Sequence, residues 1–333
     1  MQNRWKALIV GSRDRYEKFL PDNAPTDRLD LCFCPRGSTN EVLLQAGGDA
    51  DILCVDAISP VDAALIAGMP RLRLIHSEGV AYNAIDLEAA RARGIFVCNC
   101  KGCNAAAVAE QTVMLLLELL RHGLTGDRAV REGRQMEMKE RMMVEGITEL
   151  GACSVGLIGF GDIAQATAER LRPFGCRIFY YAPHRRDAAT EQRFGVSYLP
   201  LDELAAQCDI VSIHTAVTAQ TRGMIDRAFL SRMKRGALLI NTARGEIIDN
   251  EAVREALISG QLLGAGLDTL APEPTPADHP LVALPDGVRD RVVLAPHLGG
   301  ITTGSFRRAH RTVWGNIAAV LDGKRPVNIV NGL

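Results

Sequence analysis

Three side chains suited to anion binding and proton transfer follow apolar segments in the second half of this 333-residue chain. Arg244, in INTARGEIID, comes just after a predicted buried strand. A charged residue there points into the ligand crevice of an α/β sheet, and guanidinium grips a carboxylate at two places. His297, in LAPHLGG, also follows a strand, and imidazole exchanges protons near neutral pH. Glu273, in LDTLAPEP, is a carboxylate that would favour the imidazolium form and fix its tautomer.

Two of these residues, Arg244 and His297, also have an ordinary structural interpretation. Arg244 could form a surface ion pair with Glu246 or Asp249, and a lone histidine after a strand is more often structural than catalytic. The neighbouring motifs must therefore decide between catalysis and packing.

The segment SVGLIGFGDIAQATAERL reads as a strand, a glycine turn and a helix in direct succession. Glycines let the backbone approach a pyrophosphate, whose charge then lies at the helix N-terminus. Ala164, the third small position, still permits close packing of helix on strand. A glycine turn alone could be purely structural, but this one follows a strand, opens a helix and leads to a second strand. The predicted dinucleotide contacts are Gly159, Phe160, Gly161, Asp162 and Ile163.

The end of that second strand lacks the acidic residue that usually binds the ribose hydroxyls of NAD, about 20 residues after the glycines. Ala182 stands there, and His184, Arg185 and Arg186 follow directly. Without a carboxylate nothing repels a 2′-phosphate, which guanidinium groups can bind bidentately. The pattern favours NADP over NAD. The alternative is a solvated basic turn in which Asp187 serves the ribose.

Short apolar, β-branched segments alternate with amphipathic helical segments along the chain. Strands apolar on both faces that alternate with helices indicate parallel sheets covered by helices on each side. We predict an α/β fold of two doubly wound, Rossmann- or flavodoxin-like domains. The predicted strands lie at residues 7–10, 51–55, 72–77, 94–98, 154–159, 177–182, 209–214, 237–242, 263–268 and 292–297.

Two long helices mark where the chain passes between these domains. Residues 105–123 are mostly apolar and are expected to be buried between two layers or two subunits. Residues 302–324 form a second long helix after the last strand. A chain of this length exceeds one ordinary core. The predicted domains are 1–102 with 301–333, and 103–300.

Composition excludes several classes of function. With 38 Lys and Arg against 39 Asp and Glu, no charge imbalance calls for nucleic acid or an anionic membrane. No apolar run reaches the roughly 18 residues of a membrane span, and the first one is short for a signal peptide. Nine cysteines, an odd number without framework spacing, indicate free thiols in a reducing compartment, so we expect a cytoplasmic protein.

Three of these cysteines, Cys98, Cys100 and Cys103, could be interpreted as metal ligands. A closed zinc site needs four ligands, and no fourth cysteine or histidine lies nearby in the sequence. Cys98 also closes an apolar strand, where a thiol acts as a small buried hydrophobe. We predict no metal.

Together these motifs resemble the D-isomer-specific 2-hydroxyacid dehydrogenase family over nearly the whole chain. The resemblance implies a substrate (catalytic) domain built from both chain ends, a central dinucleotide-binding domain and an active-site cleft between them. It also implies a homodimer with the helix of residues 105–121 near the interface. It rests on SEGVAYNAIDLEAARARGIFVCN, VAEQT, GLIGFGDIA, DIVSIHTAVTAQTRGMI, INTARGEIID, GAGLDTLAPEP, LAPHLGG and PVNIVNG.

By this resemblance Arg244 binds the carboxylate and keto oxygen of a 2-oxoacid, His297 donates the proton and Glu273 is its partner. Ala271 replaces a non-catalytic glutamate common in the family, whereas the glutamate directly before Pro274 is kept. The pairing of histidine with glutamate argues against the formate dehydrogenase branch, which resembles this family but uses glutamine.

The resemblance implies further contacts on both ligands. Asp268 would accept a hydrogen bond from the nicotinamide amide, or else cap a turn. The backbone amides of Val80 and Ala81 would form a nest for the substrate carboxylate, with Ala81 replacing a common glycine, and Asn104 would line the cleft. The other expected cofactor contacts are His214, Thr215, Ala216, Thr242, Ala243 and Gly299.

We therefore predict an oxidoreductase that reduces a short 2-oxoacid to a D-2-hydroxyacid with NAD(P)H, resembling a glyoxylate/hydroxypyruvate reductase. One alternative is a 3-phosphoglycerate dehydrogenase-like enzyme, in which Arg71 and Arg73 could reach a substrate phosphate or else form a solvated edge. The other is a dinucleotide-sensing, corepressor-like interaction protein. The sequence leaves the particular acid and the physiological direction open.

Overall fold

The computed structural model describes residues 4–333, and the chain divides into two units. The terminal unit takes the described residues through Asn104 together with Thr302–Leu333. The central unit takes Ala105–Ile301. Each is built on one parallel sheet.

The terminal unit holds a five-stranded sheet in the order β2-β1-β3-β4-β5, a flavodoxin-like order. Short polar residues start its helices: the side chains of Ser12, Thr39, Asp62 and Asp86 each accept a hydrogen bond from a first-turn N–H. The strands are β1 (Trp5–Val10), β2 (Leu29–Cys34), β3 (Ile52–Val55), β4 (Leu74–Ser77) and β5 (Phe96–Cys98). The helices between them are α1 (Arg13–Lys18), α2 (Asn40–Gly47), α3 (Ala63–Ala67) and α4 (Leu87–Ala92).

The central unit holds a seven-stranded sheet in the order β12-β11-β10-β9-β6-β7-β8. The strand order reverses between β6 and β9, which is where ligands bind in open α/β sheets. Its strands are β6 (Ser154–Ile158), β7 (Arg177–Tyr181), β8 (Val196–Tyr198), β9 (Ile210–Ile213), β10 (Ala237–Asn241), β11 (Leu262–Leu267) and β12 (Val292–Leu294). Its helices are α5 (Ala105–Arg121), α6 (Gly123–Arg131), α7 (Gln135–Glu145), α8 (Asp162–Leu171), α9 (Ala188–Phe194), α10 (Leu201–Gln207), α11 (Arg227–Arg232) and α12 (Asn250–Ile258).

The last helix, α13 (Thr303–Leu321), returns to the terminal unit. Its buried residues Val313, Trp314 and Ile317 share one apolar cluster with Ile9 and Leu74 of the sheet. This face of the sheet is therefore covered by residues from the far end of the chain.

The predicted fold class is confirmed, but two edge strands and several boundaries differ from the sequence interpretation. β2 and β8 were not predicted, because β2 carries the exposed Asp30 and β8 has only three residues. The strand predicted over 292–297 ends at Leu294. The long helix predicted to residue 123 ends at Arg121, because His122 adopts a left-handed backbone conformation with φ +52°.

None of the helices in the described part of the chain is both long and apolar enough to cross a membrane. Within residues 4–333 all nine cysteines are free thiols.

Candidate active site

The predicted dinucleotide turn lies between β6 and α8, at the point where the strand order reverses. Gly159 has φ +95°, and a Cβ there would lie 2.7 Å from the carbonyl oxygen of His214, so the position requires glycine. A Cβ on Gly161 would meet nothing within 4 Å. Gly161 is also the N-cap of α8, with no side-chain capping bond. Open space therefore lies beside the uncapped N-terminus of α8, which suits a bound phosphate.

Arg186, after β7, reaches this same turn. Its guanidinium donates to the carbonyl oxygen of Phe160 at 3.0 Å, and its backbone N–H donates to the Tyr180 hydroxyl at 2.8 Å. Arg186 is exposed, so the rest of its guanidinium can meet a ligand at the glycine turn.

The other charged residues of this segment have structural partners. Arg185 forms a bidentate pair with Glu191 at 2.8 and 2.9 Å. Asp187 caps α9 by accepting from the Thr190 N–H at 2.7 Å, and this bond lowers the pKa of the Asp187 carboxyl. His184 is exposed. Because Asp187 already serves the helix, it is poorly placed to replace the missing ribose acid.

His214 lies directly after β9, against the glycine turn. The backbone N–H of His214 donates to the Ile158 carbonyl oxygen at 2.7 Å, and its imidazole Nε2 lies 2.9 Å from the Ser212 hydroxyl oxygen. Burial lowers the pKa of His214 to about 3, so the ring is neutral. Its Nδ1 is buried without a hydrogen-bond partner among the described residues, and the following Thr215 and Ala216 are partly or fully exposed.

Arg244 follows β10 in a turn that is fixed by Asn241. The buried Asn241 side chain donates to the Arg244 carbonyl at 2.9 Å and accepts from the Ala243 N–H at 3.0 Å. Within residues 4–333 the Arg244 guanidinium donates only to the neighbouring Ala243 carbonyl, at 2.7 Å, and forms no ion pair. The ion pairs with Glu246 or Asp249 considered from the sequence are not formed, which leaves the guanidinium donors free for an anion.

Thr242 anchors the same turn to α5. Its hydroxyl lies 3.0 Å from that of Thr112, and both side chains are buried. Gly245, on the other side of Arg244, packs directly on the backbone of Leu270, where a Cβ would lie 2.2 Å from a carbonyl carbon. The Arg244 turn therefore packs closely against the segment that leads to Glu273.

Glu273 and His297 form a hydrogen-bonded pair. The imidazole Nδ1 lies 2.8 Å from Glu273 Oε1 and 3.1 Å from Oε2. In this pairing the proton on Nδ1 is hydrogen-bonded to Glu273, and Nε2 takes no part in the pair. The two side chains keep 51% and 37% of their surface exposed, so Nε2 is within reach of a ligand.

The loop that carries His297 is held by Asp268, the buried residue directly after β11. Its carboxylate accepts from the N–H groups of Leu298 at 2.9 Å and Gly299 at 2.8 Å, and from the Gln111 side chain at 3.2 Å. The Asp268 carbonyl also accepts from the His297 N–H at 2.8 Å. These bonds hold His297 in a left-handed conformation with φ +56°, which non-glycine residues rarely adopt.

In the terminal unit, the loop after β4 presents unpaired amides. The carbonyls of Gly79, Val80 and Ala81 accept from the Cys100 N–H, the Asn99 side chain and the Ser77 hydroxyl respectively, at 2.7–2.8 Å. Within residues 4–333 the N–H groups of Val80 and Ala81 have no acceptor. Fixed carbonyls and free amides are what an anion-binding nest requires.

Asn104, the last residue of the terminal unit before α5, has a buried Oδ1 without a hydrogen-bond partner in the described part of the chain. Such an atom usually has a partner, and a ligand or water would supply it. Among the described residues, no cluster of three or more His, Cys, Asp or Glu side chains has an arrangement that could hold a metal ion.

Comparison with known proteins identifies the family of this chain. The model of the D-isomer specific 2-hydroxyacid dehydrogenase NAD-binding domain matches residues 113–299, more than half of the chain. The chain belongs to the D-isomer specific 2-hydroxyacid dehydrogenase family. It is therefore an NAD(P)-dependent oxidoreductase, as predicted.

Individual relatives agree with this assignment. A glyoxylate reductase of Korarchaeum cryptofilum is 37% identical over 98% of this chain and 96% of its own length. A D-3-phosphoglycerate dehydrogenase of Mycobacterium bovis is 35% identical over 89% of this chain, which spans 54% of that relative. An acyclic imino acid reductase, solved with NADPH and D-Arg, superposes with a TM-score of 0.82 at 25% identity, covering 98% and 99% of the two chains.

In this dehydrogenase the central unit fits a nicotinamide dinucleotide. Open space lies beside Gly161 at the N-terminus of α8, and the buried Nδ1 of His214 has no hydrogen-bond partner in the part of the chain that the structure describes. The residues that would hold the cofactor are those of the turn, Arg186 and His214.

Three supporting residues were not singled out from the sequence: Gln111, Thr112 and Asn241. Gln111 and Thr112 lie in the VAEQT segment, and Asn241 precedes Thr242 in INTARG. Polar residues in an otherwise apolar helix or strand are the signal that could have revealed them, because buried polar groups require partners.

Proposed function

We propose that this dehydrogenase reduces short 2-oxoacids such as glyoxylate and hydroxypyruvate, and that it prefers NADPH to NADH. The observation that carries the proposal is the hydrogen bond between Glu273 and His297 in the unit that also holds Arg244 and the glycine turn. A positioned imidazole and a free guanidinium in the same unit are the groups that reduction of a carbonyl needs.

The reaction assigns one task to each of these side chains. A reduced nicotinamide held by the glycine turn, Arg186 and His214 would supply the hydride that reduction of a keto carbon requires. Arg244 binds the substrate and polarises its carbonyl, which stabilises the negative charge that develops on oxygen. His297 donates a proton from Nε2 to that oxygen, while its Nδ1 stays hydrogen-bonded to Glu273. Glu273 stabilises the imidazolium before transfer and fixes the ring orientation. In the terminal unit, we assign the binding of a carboxylate to the free N–H groups of Val80 and Ala81.

The preference for NADPH rests on Arg186. Its guanidinium touches the carbonyl of Phe160 in the glycine turn, whereas Arg185 is occupied by Glu191 and Asp187 caps a helix. A 2′-phosphate would meet the exposed Arg186 guanidinium, while the Asp187 carboxylate is already hydrogen-bonded to the Thr190 N–H. We therefore assign recognition of that phosphate to Arg186.

A 3-phosphoglycerate dehydrogenase-like activity is less well supported. Arg71, which could have served a substrate phosphate, forms a bidentate pair with the buried Asp51 at 3.0–3.2 Å. Arg73 lies over the Trp5 ring, 5.0 Å from its centroid. Both guanidinium groups thus have structural partners.

We further propose that the enzyme is a cytoplasmic homodimer. The nine free thiols are typical of a reducing compartment. Helices α5 to α7 expose large apolar side chains, with Val144 88%, Met143 70%, Met136 59% and Met114 48% exposed. Apolar groups at this density on one run of helices are typical of a subunit interface.

Steady-state kinetics test the activity. The oxidation of NADPH and of NADH is followed with glyoxylate, hydroxypyruvate, pyruvate, phenylpyruvate and 3-phosphohydroxypyruvate. The proposal expects the highest kcat/KM for glyoxylate or hydroxypyruvate with NADPH. Turnover confined to the phosphorylated substrate would favour the 3-phosphoglycerate dehydrogenase alternative. Absence of turnover with all five would refute a role in 2-oxoacid reduction.

A further inference from the structure

A buried ion pair lies at the carboxyl edge of the terminal sheet, outside the machinery described so far. Arg15 of α1 donates to one oxygen of Glu78, and the hydroxyl of the buried Tyr16 donates to the other. The side chains of Arg15 and Glu78 are only 18% and 8% exposed. Burial raises the pKa of the Glu78 carboxyl, while the Arg15 charge opposes that shift. Desolvating such a pair costs free energy, and a role in binding would account for that cost.

This pair adjoins the amides assigned to the substrate carboxylate. Glu78 directly follows β4, and the unpaired N–H groups of Val80 and Ala81 come two and three residues later in the same loop. Because Arg15 bonds Glu78, its guanidinium lies at the same edge of the sheet. It also lines a cavity of about 560 Å³ together with Gly11, Phe33 and Arg36.

The hydrogen-bond inventory of Arg15 is incomplete. Its Nε is buried and has no acceptor within residues 4–333. Both oxygens of Glu78 are already engaged by Arg15 and Tyr16. The cluster therefore has a donor to offer, and it would bind a ligand oxygen that accepts a hydrogen bond.

The charged side chains around the cavity indicate whether the ligand oxygen is charged or neutral. Arg15 is neutralised by Glu78, and Arg36, the other cation of the cavity, lies 2.6 Å from the buried Asp56. The four groups sum to no net charge. A carboxylate or phosphate brought here would find no unbalanced cation, whereas a hydroxyl requires none.

We propose that Arg15 sets the substrate specificity of this dehydrogenase by donating a hydrogen bond to a hydroxyl on C3 of the 2-oxoacid whose carboxylate is bound by Val80 and Ala81. This inference rests on the proposed function. It assigns Arg15 to the C3 substituent and Glu78 to the rejection of anionic substituents at the same position.

The test compares two 2-oxoacids of nearly equal size. Hydroxypyruvate carries a hydroxyl where 2-oxobutyrate carries a methyl group, so the ratio of their kcat/KM values measures recognition of that hydroxyl. A site built to bond a hydroxyl rejects the analogue that lacks it. We expect the wild type to prefer hydroxypyruvate, and Arg15→Met to lower the ratio by about tenfold or more. Partial unfolding would lower both values together and leave the ratio intact.

The second variant should gain activity toward a substrate that carries an anionic substituent. Glu78→Gln keeps the size and the bond to Tyr16 but leaves the Arg15 charge without its partner, so kcat/KM for oxaloacetate should rise relative to hydroxypyruvate. Lys18→Met is the matched control, because Lys18 is an exposed cation of the same helix. It should leave both ratios at the wild-type values.

The outcomes separate the two proposals. If the wild type reduces 2-oxoacids but Arg15→Met keeps the wild-type ratio, or Glu78→Gln leaves the oxaloacetate ratio unchanged, the assignment of this cluster is wrong and the proposed function stands. If the wild type reduces none of the tested 2-oxoacids, the proposed function fails and this assignment fails with it.

Discussion

Asp268 Oδ2 accepts the Gly299 N–H at 2.8 Å, and a Cβ added to Gly299 would lie at the same 2.8 Å from that oxygen. The aspartate and the glycine are thus fitted to each other, and the His297 loop depends on both. Any residue other than glycine at position 299 would keep the carboxylate from approaching this closely.

Asp268→Asn should destabilise the loop. An amide offers one acceptor oxygen to replace two, so one of the Leu298 and Gly299 N–H groups loses its bond in a buried site. The free energy of unfolding should fall by about 1–3 kcal/mol, and kcat should fall because His297 is no longer held. Urea denaturation and steady-state kinetics measure the two effects. Asp278→Asn, at an exposed position, is the control, and equal behaviour of the two variants would contradict this role.

His297→Ala should lower kcat by about 10²–10⁴-fold, because the variant lacks the proton donor. Glu273→Gln should cause a smaller loss, since the histidine remains but its partner no longer carries a charge. NADPH binding, followed by quenching of NADPH fluorescence, should be unchanged in both variants. Wild-type turnover in His297→Ala would remove this residue from the mechanism.

Arg186→Ser should reduce kcat/KM for NADPH much more than for NADH, by about tenfold, since one charged hydrogen bond to the 2′-phosphate is lost. Arg193→Ser removes an exposed cation from the adjacent helix α9 and serves as the control. The informative quantity is the NADPH/NADH ratio for each variant with a single 2-oxoacid. A ratio unaffected by Arg186→Ser would leave the cofactor preference without its proposed cause.

Acid should destabilise the protein through its buried histidines. Burial lowers the pKa of His310 to about 4, with a further contribution from Arg15, whereas an unfolded histidine titrates near 6.5. The unfolded chain therefore binds more protons between these values, and stability falls as pH drops through that window. From pH 7 to pH 5 the loss is about 2 kcal/mol for such a histidine.

His310→Phe tests this value. Both ring nitrogens of His310 are buried and have no hydrogen-bond partner among residues 4–333, and the ring centroid lies 4.8 Å from that of Tyr16 and 5.8 Å from that of Phe19. The variant should lose about 2 kcal/mol less than the wild type between pH 7 and pH 5, measured by urea unfolding. Comparing two pH values cancels any change in packing. Identical pH dependence in both proteins would show that His310 is not buried in its neutral form.

The proposed homodimer predicts that charges on α7 dissociate the enzyme. A double variant with Met143→Lys and Val144→Lys should sediment as a monomer at concentrations where the wild type sediments as a dimer. Ile58→Lys places the same charge on an exposed apolar position of the terminal unit and should have no effect on assembly. A monomeric wild type would contradict the proposal directly.

Local patterns were enough to predict the glycine turn and most strands. Gly159 and Gly161 stand between an apolar strand and a helix, and that pattern is contained in one contiguous segment of the sequence. The apolar strands of both sheets were visible for the same reason. The edge strands β2 and β8 were missed because an edge strand needs little apolar sequence, and three residues carry no periodicity.

The supporting contacts of the site were beyond sequence reasoning because they join distant segments. Gln111 and Asp268 are 157 residues apart, and Arg15 and Glu78 are 63 apart. No periodicity connects such pairs, and a charged residue reads as exposed until the fold shows it buried. That Asp187 caps helix α9 also became clear only from the structure.

Because α13 returns to the terminal unit, the two units complete their folding in a fixed order during synthesis. Domains tend to fold as units while the chain emerges from the ribosome. The central unit has all of its residues by Ile301, but the terminal sheet must wait for Val313, Trp314 and Ile317. Until then the face that carries Ile9 and Leu74 stays uncovered, although it was made first. The nascent chain is thus most exposed to aggregation and to chaperones at its oldest segment, and its last helix ends that exposure.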